Sequence, residues 1–189
     1  MFIGLILLSL YSISAQEKSN LEVFNELVDS SVTEAVSFIP DSVKHIKLNL
    51  NSGILAVFNA EIISSLSKNG YNLVSDDNSF EFQYIITNAG ASYGDMFRKG
   101  FLGDYYIPRK INLSGNYNLN GQSIFTKDFN YTFQDTVNVD SVSSLENSSY
   151  PFTHGNLPAE PFFPGILEPV IAVGTAALAV ILFFTIRSK

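Results

Sequence analysis

Three stretches decide how this chain folds: FEFQYII (80–86), KINLSGNYNLNG (110–121) and IFTKDFNYTFQD (124–135). In the first, Phe80, Phe82, Tyr84 and Ile86 share a face. In the second, Ile111, Leu113, Gly115, Tyr117 and Leu119 alternate with Asn112, Ser114, Asn116, Asn118 and Asn120. In the third, Phe125, Phe129, Tyr131 and Phe133 share a face, and Lys127 is the exception. Side chains on a strand alternate between the two sides of a sheet, so this period of two marks strands with one buried and one solvated face. Asn120-Gly121 predicts a tight hairpin between the last two, because both residues tolerate positive φ. The three strands predict an antiparallel meander whose apolar face needs a cover and whose Asn/Ser/Thr face can stand in water.

The cover lies upstream. Leu21, Phe24, Leu27, Val28, Val32, Ala35, Val36 and Ile39 recur at spacings of three and four, and Pro40 ends that helical run. KHIKLNL (44–50) alternates like a half-buried strand until Gly53 breaks it. Residues 54–68 return to helical spacing along Leu55, Phe58, Ile62 and Leu66, with Asn69-Gly70 as the stop. YNLVS (71–75) reads as a short strand. The expected fold is α+β: a two-layer domain over residues 16–135, with a mainly antiparallel sheet of about five strands covered by helices on one face.

Both ends of the chain read as membrane signals. Residues 1–15, MFIGLILLSLYSISA, have the short apolar run and small residues of a secretory signal peptide with cleavage after Ala15, although no Lys or Arg precedes the run. At the other end no charge interrupts Pro169 to Ile186, and Arg187 and Lys189 follow. Residues 166–189 are expected to form a transmembrane helix with a basic cytoplasmic tail, since basic flanks favour that side. Between body and helix, residues 136–165 are rich in Ser, Pro and Gly. They read as a linker, extended or packed irregularly on the domain.

Over its 189 residues the chain is 46% apolar and only 15% charged, with a net charge of −7, which removes the basic face that nucleic-acid binding needs. It has no cysteine and only His45 and His154, so thiolate sites and most metal or acid–base constellations are excluded. Asp76, Asp77 and Asn78 lack the spaced ligands of a calcium loop and read as a turn. Sequons at Asn112, Asn130 and Asn147 matter only in a eukaryotic source. Gly90-Ala91-Ser92-Tyr93-Gly94 has the spacing of a hydrolase elbow, but no helix is predicted behind it. No cofactor is expected, and no enzymatic activity.

The order β-α-β-β-β from about Val43 to Phe133 resembles the small periplasmic domain at the amino terminus of TolB and in CsgG-like and LpoB-like envelope proteins. KHIKLNL, the helix running to SLSKNGYNLVS, FEFQYIITNAG, and the pair KINLSGNYNLNG and SIFTKDFNY carry the likeness. The resemblance implies an envelope assembly or interaction module. The chain departs from that pattern in having no propeller, no lipid-bearing cysteine and a carboxyl-terminal apolar helix.

One connection stands out. Residues 90–110 join two strands expected to pair, where hairpin loops usually have two to five residues. Met96, Phe97, Phe101, Leu102, Tyr105 and Tyr106 lie there beside Arg98, Lys99, Arg109 and Lys110, with four glycines. Met96, Phe97, Arg98, Lys99, Phe101, Leu102, Tyr105 and Tyr106 are the candidate binding residues: aromatics with arginine are the types enriched at binding hot spots. The loop docks a protein, dips into the membrane interface, or folds its aromatics over an open end of the core. The expected function is a single-pass inner-membrane protein whose periplasmic domain binds an envelope protein. The alternatives are an anchored hydrolase using Ser92, or assembly through the spanning helix at Gly174 to Ala179.

Overall fold

The computed structural model describes residues 17–50, 53–76, 79–100, 103–121, 123–159 and 164–187. The signal-peptide reading of residues 1–15 lies outside the described residues.

The first helix, α1, is Asn20–Val36. It starts on a capping box: Ser19 accepts from the Glu22 N–H while the Glu22 carboxylate accepts from the Ser19 N–H, so two otherwise orphaned donors are satisfied. The short strand β1, His45–Asn49, leads through a 3₁₀ turn at Gly53–Phe58 into α2, Asn59–Lys68. The strands β2, Asn72–Val74, and β3, Phe80–Tyr93, follow. A two-residue strand β4, Phe97–Arg98, precedes the long β5, Tyr105–Asn120, and β6, Ile124–Asn138. The chain ends in a one-turn helix α3, Val142–Leu145, a 3₁₀ turn at Pro151–Thr153, and α4, Pro164–Arg187.

The sheet has six strands and is mainly antiparallel, as expected, but it is mixed: the pairs that β1 makes with β2 and β3 are parallel. Its path runs β2-β1-β3-β5-β6. The crossover through α2 returns the chain to the same end, so β2 lies parallel to β1, and β3 is parallel to β1 on its other side. The expected meander is present in β3, β5 and β6. β4 pairs with the first residues of β5, which also pair with β6. It therefore occupies the same side of β5 as β3, beyond the end of β3.

The helices cover one face. Val23, Phe24, Val28 and Val32 of α1 and Phe58, Ile62 and Leu66 around α2 are fully buried against Ile46, Phe82, Tyr84, Ile111, Leu113 and Tyr117. Aromatic rings fill the centre: Tyr84 and Tyr117 stack on Phe129 with centroids at 5.2 and 6.4 Å. Gly115 makes room for this, since a Cβ there would come within 2.7 Å of the Phe129 ring and 2.1 Å of the Ile85 carbonyl oxygen. Lys127 points inward with the apolar residues because Glu34 of α1 meets it at 2.5 Å and Phe38 presents its ring at 4.5 Å.

Three local expectations need correction. β5 and β6 pair as far as Asn120 opposite Ile124, so the connection is longer than the two-residue Asn120-Gly121 turn. Gly121 does not take a positive φ; a Cβ there would come within 2.7 Å of the Phe80 ring, which would have to shift. Arg109 is fully buried, so it does not add to a basic surface. The expected linker does not begin at residue 136: β6 runs on to Asn138, and Val137, Val142, Leu145 and Thr153 are buried against the domain.

α4 begins before Pro169, which lies inside the helix while Pro164 occupies its start. The 18 residues Pro169–Ile186 are long and apolar enough to cross a membrane, and none of them is buried against the rest of the protein.

Candidate functional site

The long connection contracts on folding. β3 extends to Tyr93, and β5 begins at Tyr105, so the connection shortens to 94–104, within which β4 forms a small hairpin with the start of β5. Phe97 pairs with Tyr106 and Arg98 with Tyr105, and the Lys99 N–H donates to the Asp104 carbonyl at 3.1 Å. Gly103 closes the turn, because a Cβ there would lie 1.8 Å from the Lys99 carbonyl oxygen. Arg98 Nε donates to the Gly103 carbonyl at 2.9 Å.

Strand alternation divides the candidate residues between two sides. Met96 packs inward on a small second core of Ile107, Val137, Val142 and Leu145, so it holds the hairpin to the domain. Arg98 and Tyr105 lie on the same side, the guanidinium 4.9 Å from the ring centroid. Phe97, Lys99 and Tyr106 face the other way. The Phe97 and Tyr106 rings stack at 6.3 Å, and the Lys99 ammonium lies 5.6 Å from the Tyr106 centroid. Phe97 is 46% exposed. Phe101 and Leu102 lie outside the described residues.

Arg109 anchors the base of this region. Its guanidinium grips Asp135 with two bonds, Nε to Oδ1 at 2.8 Å and Nη2 to Oδ2 at 2.6 Å. Nη1 donates to the Lys18 carbonyl at 2.8 Å and to Asn20 Oδ1 at 2.7 Å. The Asn20 amide donates in turn to the Tyr93 hydroxyl at 3.1 Å and to the Thr153 carbonyl at 2.6 Å. Burial pushes the Tyr93 phenol up to about 12, partly offset by its bond to Asn20, so it stays a neutral hydrogen-bonding group. One buried fork thus ties the residues entering α1 to those leaving β6. The signal was in the sequence: Arg109 is in phase with Ile107, Ile111 and Leu113, the inward set of β5.

On the outer face, Ser92, Gly94, Pro108, Lys110, Gln134 and Thr136 line an open hollow of about 530 Å³ across three strands. The Ser92 hydroxyl points to the Lys110 carbonyl at 3.4 Å from within β3. An elbow needs a strand-to-helix turn, and that geometry is not formed here. His154 is held by Glu146 at 3.0 Å and by the Asn147 carbonyl at 3.1 Å. Among the described residues no group of three or more His, Asp and Glu could hold a metal ion. A second hollow of about 360 Å³, among Phe38, Pro40, Val43, Phe80, Leu119 and Phe125, opens at the other end of the sheet.

The fold and the hairpin define a two-layer α+β domain carrying a helix able to cross a membrane. No protein-family model matches the chain, and no curated protein matches it. Among solved structures it is similar to a minor lipoprotein from Acinetobacter baumannii, at 12% identity and a TM-score of 0.35, over 53% of this chain and 70% of that one.

Proposed function

We propose that the protein is a membrane-anchored binding module of the cell envelope that works through protein–protein contacts. In this reading residues 1–15 direct export, α4 holds the protein in the bacterial inner membrane, the domain stands in the periplasm, and Arg187 and Lys189 stay in the cytoplasm. The observation that carries the binding role is the outer edge of β6. Fifteen residues, Ile124–Asn138, form an edge strand that pairs only with β5 among the described residues. Such an edge offers a row of backbone donors and acceptors to an incoming strand, while the alternating side chains supply selectivity. No proline interrupts it, and its two inward-pointing charges of opposite sign, Lys127 and Asp135, are each paired within the chain.

Site-specific photocrosslinking in intact cells tests this. A photoreactive residue at Thr132, on the β6 edge, should give a discrete adduct with one partner chain, whereas one at Asn118, on the central strand, should not. Equal patterns at both positions, or no adduct at either, would sink the proposal.

A further inference from the structure

We propose that the hairpin around β4 is a foot that rests in the headgroup–acyl boundary of the bilayer, with Phe97 and Tyr106 as its apolar contacts. The proposal rests on the reading of α4 as a membrane anchor.

Three observations carry it. The first is position. Both chain exits of the domain lie at the end of the sheet where the hairpin projects. Glu17 accepts from the Asn138 N–H at 3.0 Å, at the end of β6, and Arg109 holds the Lys18 carbonyl. On the carboxyl side, the Gly155 N–H donates to Glu146 at 3.0 Å, and Gly155 sits against the Tyr93 ring at the end of β3.

The second is reach. α4 begins at Pro164, so eight residues, 156–163, separate it from Gly155. Fully extended they cover at most about 30 Å. β5 alone is 16 residues long, which at about 3.3 Å per residue is roughly 50 Å, so the tether is shorter than the domain it holds. The end with the hairpin is therefore kept close to the membrane, while the end where Asn120 pairs with Ile124 is able to stand clear of it.

The third is chemistry. Phe97, Tyr106 and Lys99 share the side of the hairpin turned away from the core, two rings with a cation alongside. Aromatic rings with a long cationic side chain suit the membrane interface, where the ring meets acyl carbon and the ammonium reaches the headgroups. Asp95 and Asp104 balance Arg98 and Lys99 in sequence, so residues 94–106 carry no net charge. Anionic lipid has no special hold on such a segment, and the contact is apolar in origin. It should form on neutral lipid and withstand salt.

The chain has no cysteine, so a single introduced one can be labelled uniquely. The full chain is reconstituted in phosphatidylcholine vesicles with a fluorophore at Lys99→Cys, a change that removes a cation and so biases against lipid contact, or at Thr126→Cys near the opposite end. Quenchers attached to shallow acyl positions should reduce the Lys99→Cys signal about threefold more than the Thr126→Cys signal, consistent with burial to interfacial depth. The difference should survive high salt and vanish when Phe97→Ser is added, with the circular dichroism spectrum unchanged. Equal quenching at the two sites would overturn the proposal. So would a Lys99→Cys label that is silent on pure lipid and responds only in native membranes, which would assign the hairpin to a protein. Failure of the chain to float with the vesicles would instead overturn the anchoring by α4.

Discussion

Arg109 shows how a single residue can hold both ends of a domain. It has no exposed side-chain surface, and its fork meets Asp135, the Lys18 carbonyl and Asn20 together. Truncation to alanine leaves the Asn20 oxygen and the Lys18 carbonyl without their partner, while Asp135, 31% exposed, recovers some water. The expected cost is about 3 kcal/mol, seen as a fall in Tm on the order of 10 °C in a thermal melt. Arg109→Lys should recover little of it, because an ammonium cannot reproduce the planar fork. Glu34 gives a pH signature. Its bonds from Lys127 and from the Tyr131 hydroxyl hold its carboxyl below the ordinary carboxylate range. The unfolded chain therefore binds this proton at higher pH than the folded one does. Its contribution is fully present above the ordinary carboxylate value and is lost as pH falls through the depressed one. Melting temperatures of Glu34→Gln should be lower than wild type at neutral pH and converge toward it in acid; a constant gap down to low pH would contradict this.

At the level of elements, the chain after residue 135, the last residues of β6 included, is part of the domain. Val137, Val142 and Leu145 are buried, and the Phe152 ring packs edge-on against Phe24 and tilted against Phe58, both at 5.3 Å. At about 1.5–3 kcal/mol for each large apolar side chain buried, these four residues supply an amount comparable to the whole stability of an ordinary domain. A fragment of residues 17–159 should melt cooperatively, and one ending at residue 135 should not. Equal cooperative melts would show the segment to be dispensable. The same elements show what the sequence could reveal. The inward sets of β5 and β6, and the stripes of α1 and α2, were legible because strict periods of two and 3.6 survive intact. β3 was legible only as far as Ile86. The register shifts at Thr87, and beyond it the inward set changes from even to odd positions: Ala89, Ala91 and Tyr93 replace what would have been Asn88, Gly90 and Ser92. A broken alternation with small residues reads as loop, which is why the connection looked twice its true length. β4 was invisible for another reason. Two residues have no period, and their strand geometry comes from pairing with Tyr105 and Tyr106. Of the candidate residues, the stacking of Phe97 and Tyr106 depends on that pairing, while the inward turn of Met96 depends on a second core built from residues some 40 positions downstream.

Across the chain as a whole, a sheet with one polar, open face is joined to a helix that is apolar on every side. None of Pro169–Ile186 is buried by the domain, and the short chain between Gly155 and Pro164 keeps the two close. The proposed arrangement requires the domain and the basic carboxyl-terminal tail to lie on opposite sides of one membrane. Single cysteines at Thr126 and at Ser188 test this directly with a thiol reagent that cannot cross the inner membrane. Thr126→Cys should be labelled in intact spheroplasts and Ser188→Cys only after lysis. Labelling of Ser188→Cys in intact spheroplasts, or protection of Thr126→Cys until lysis, would contradict it.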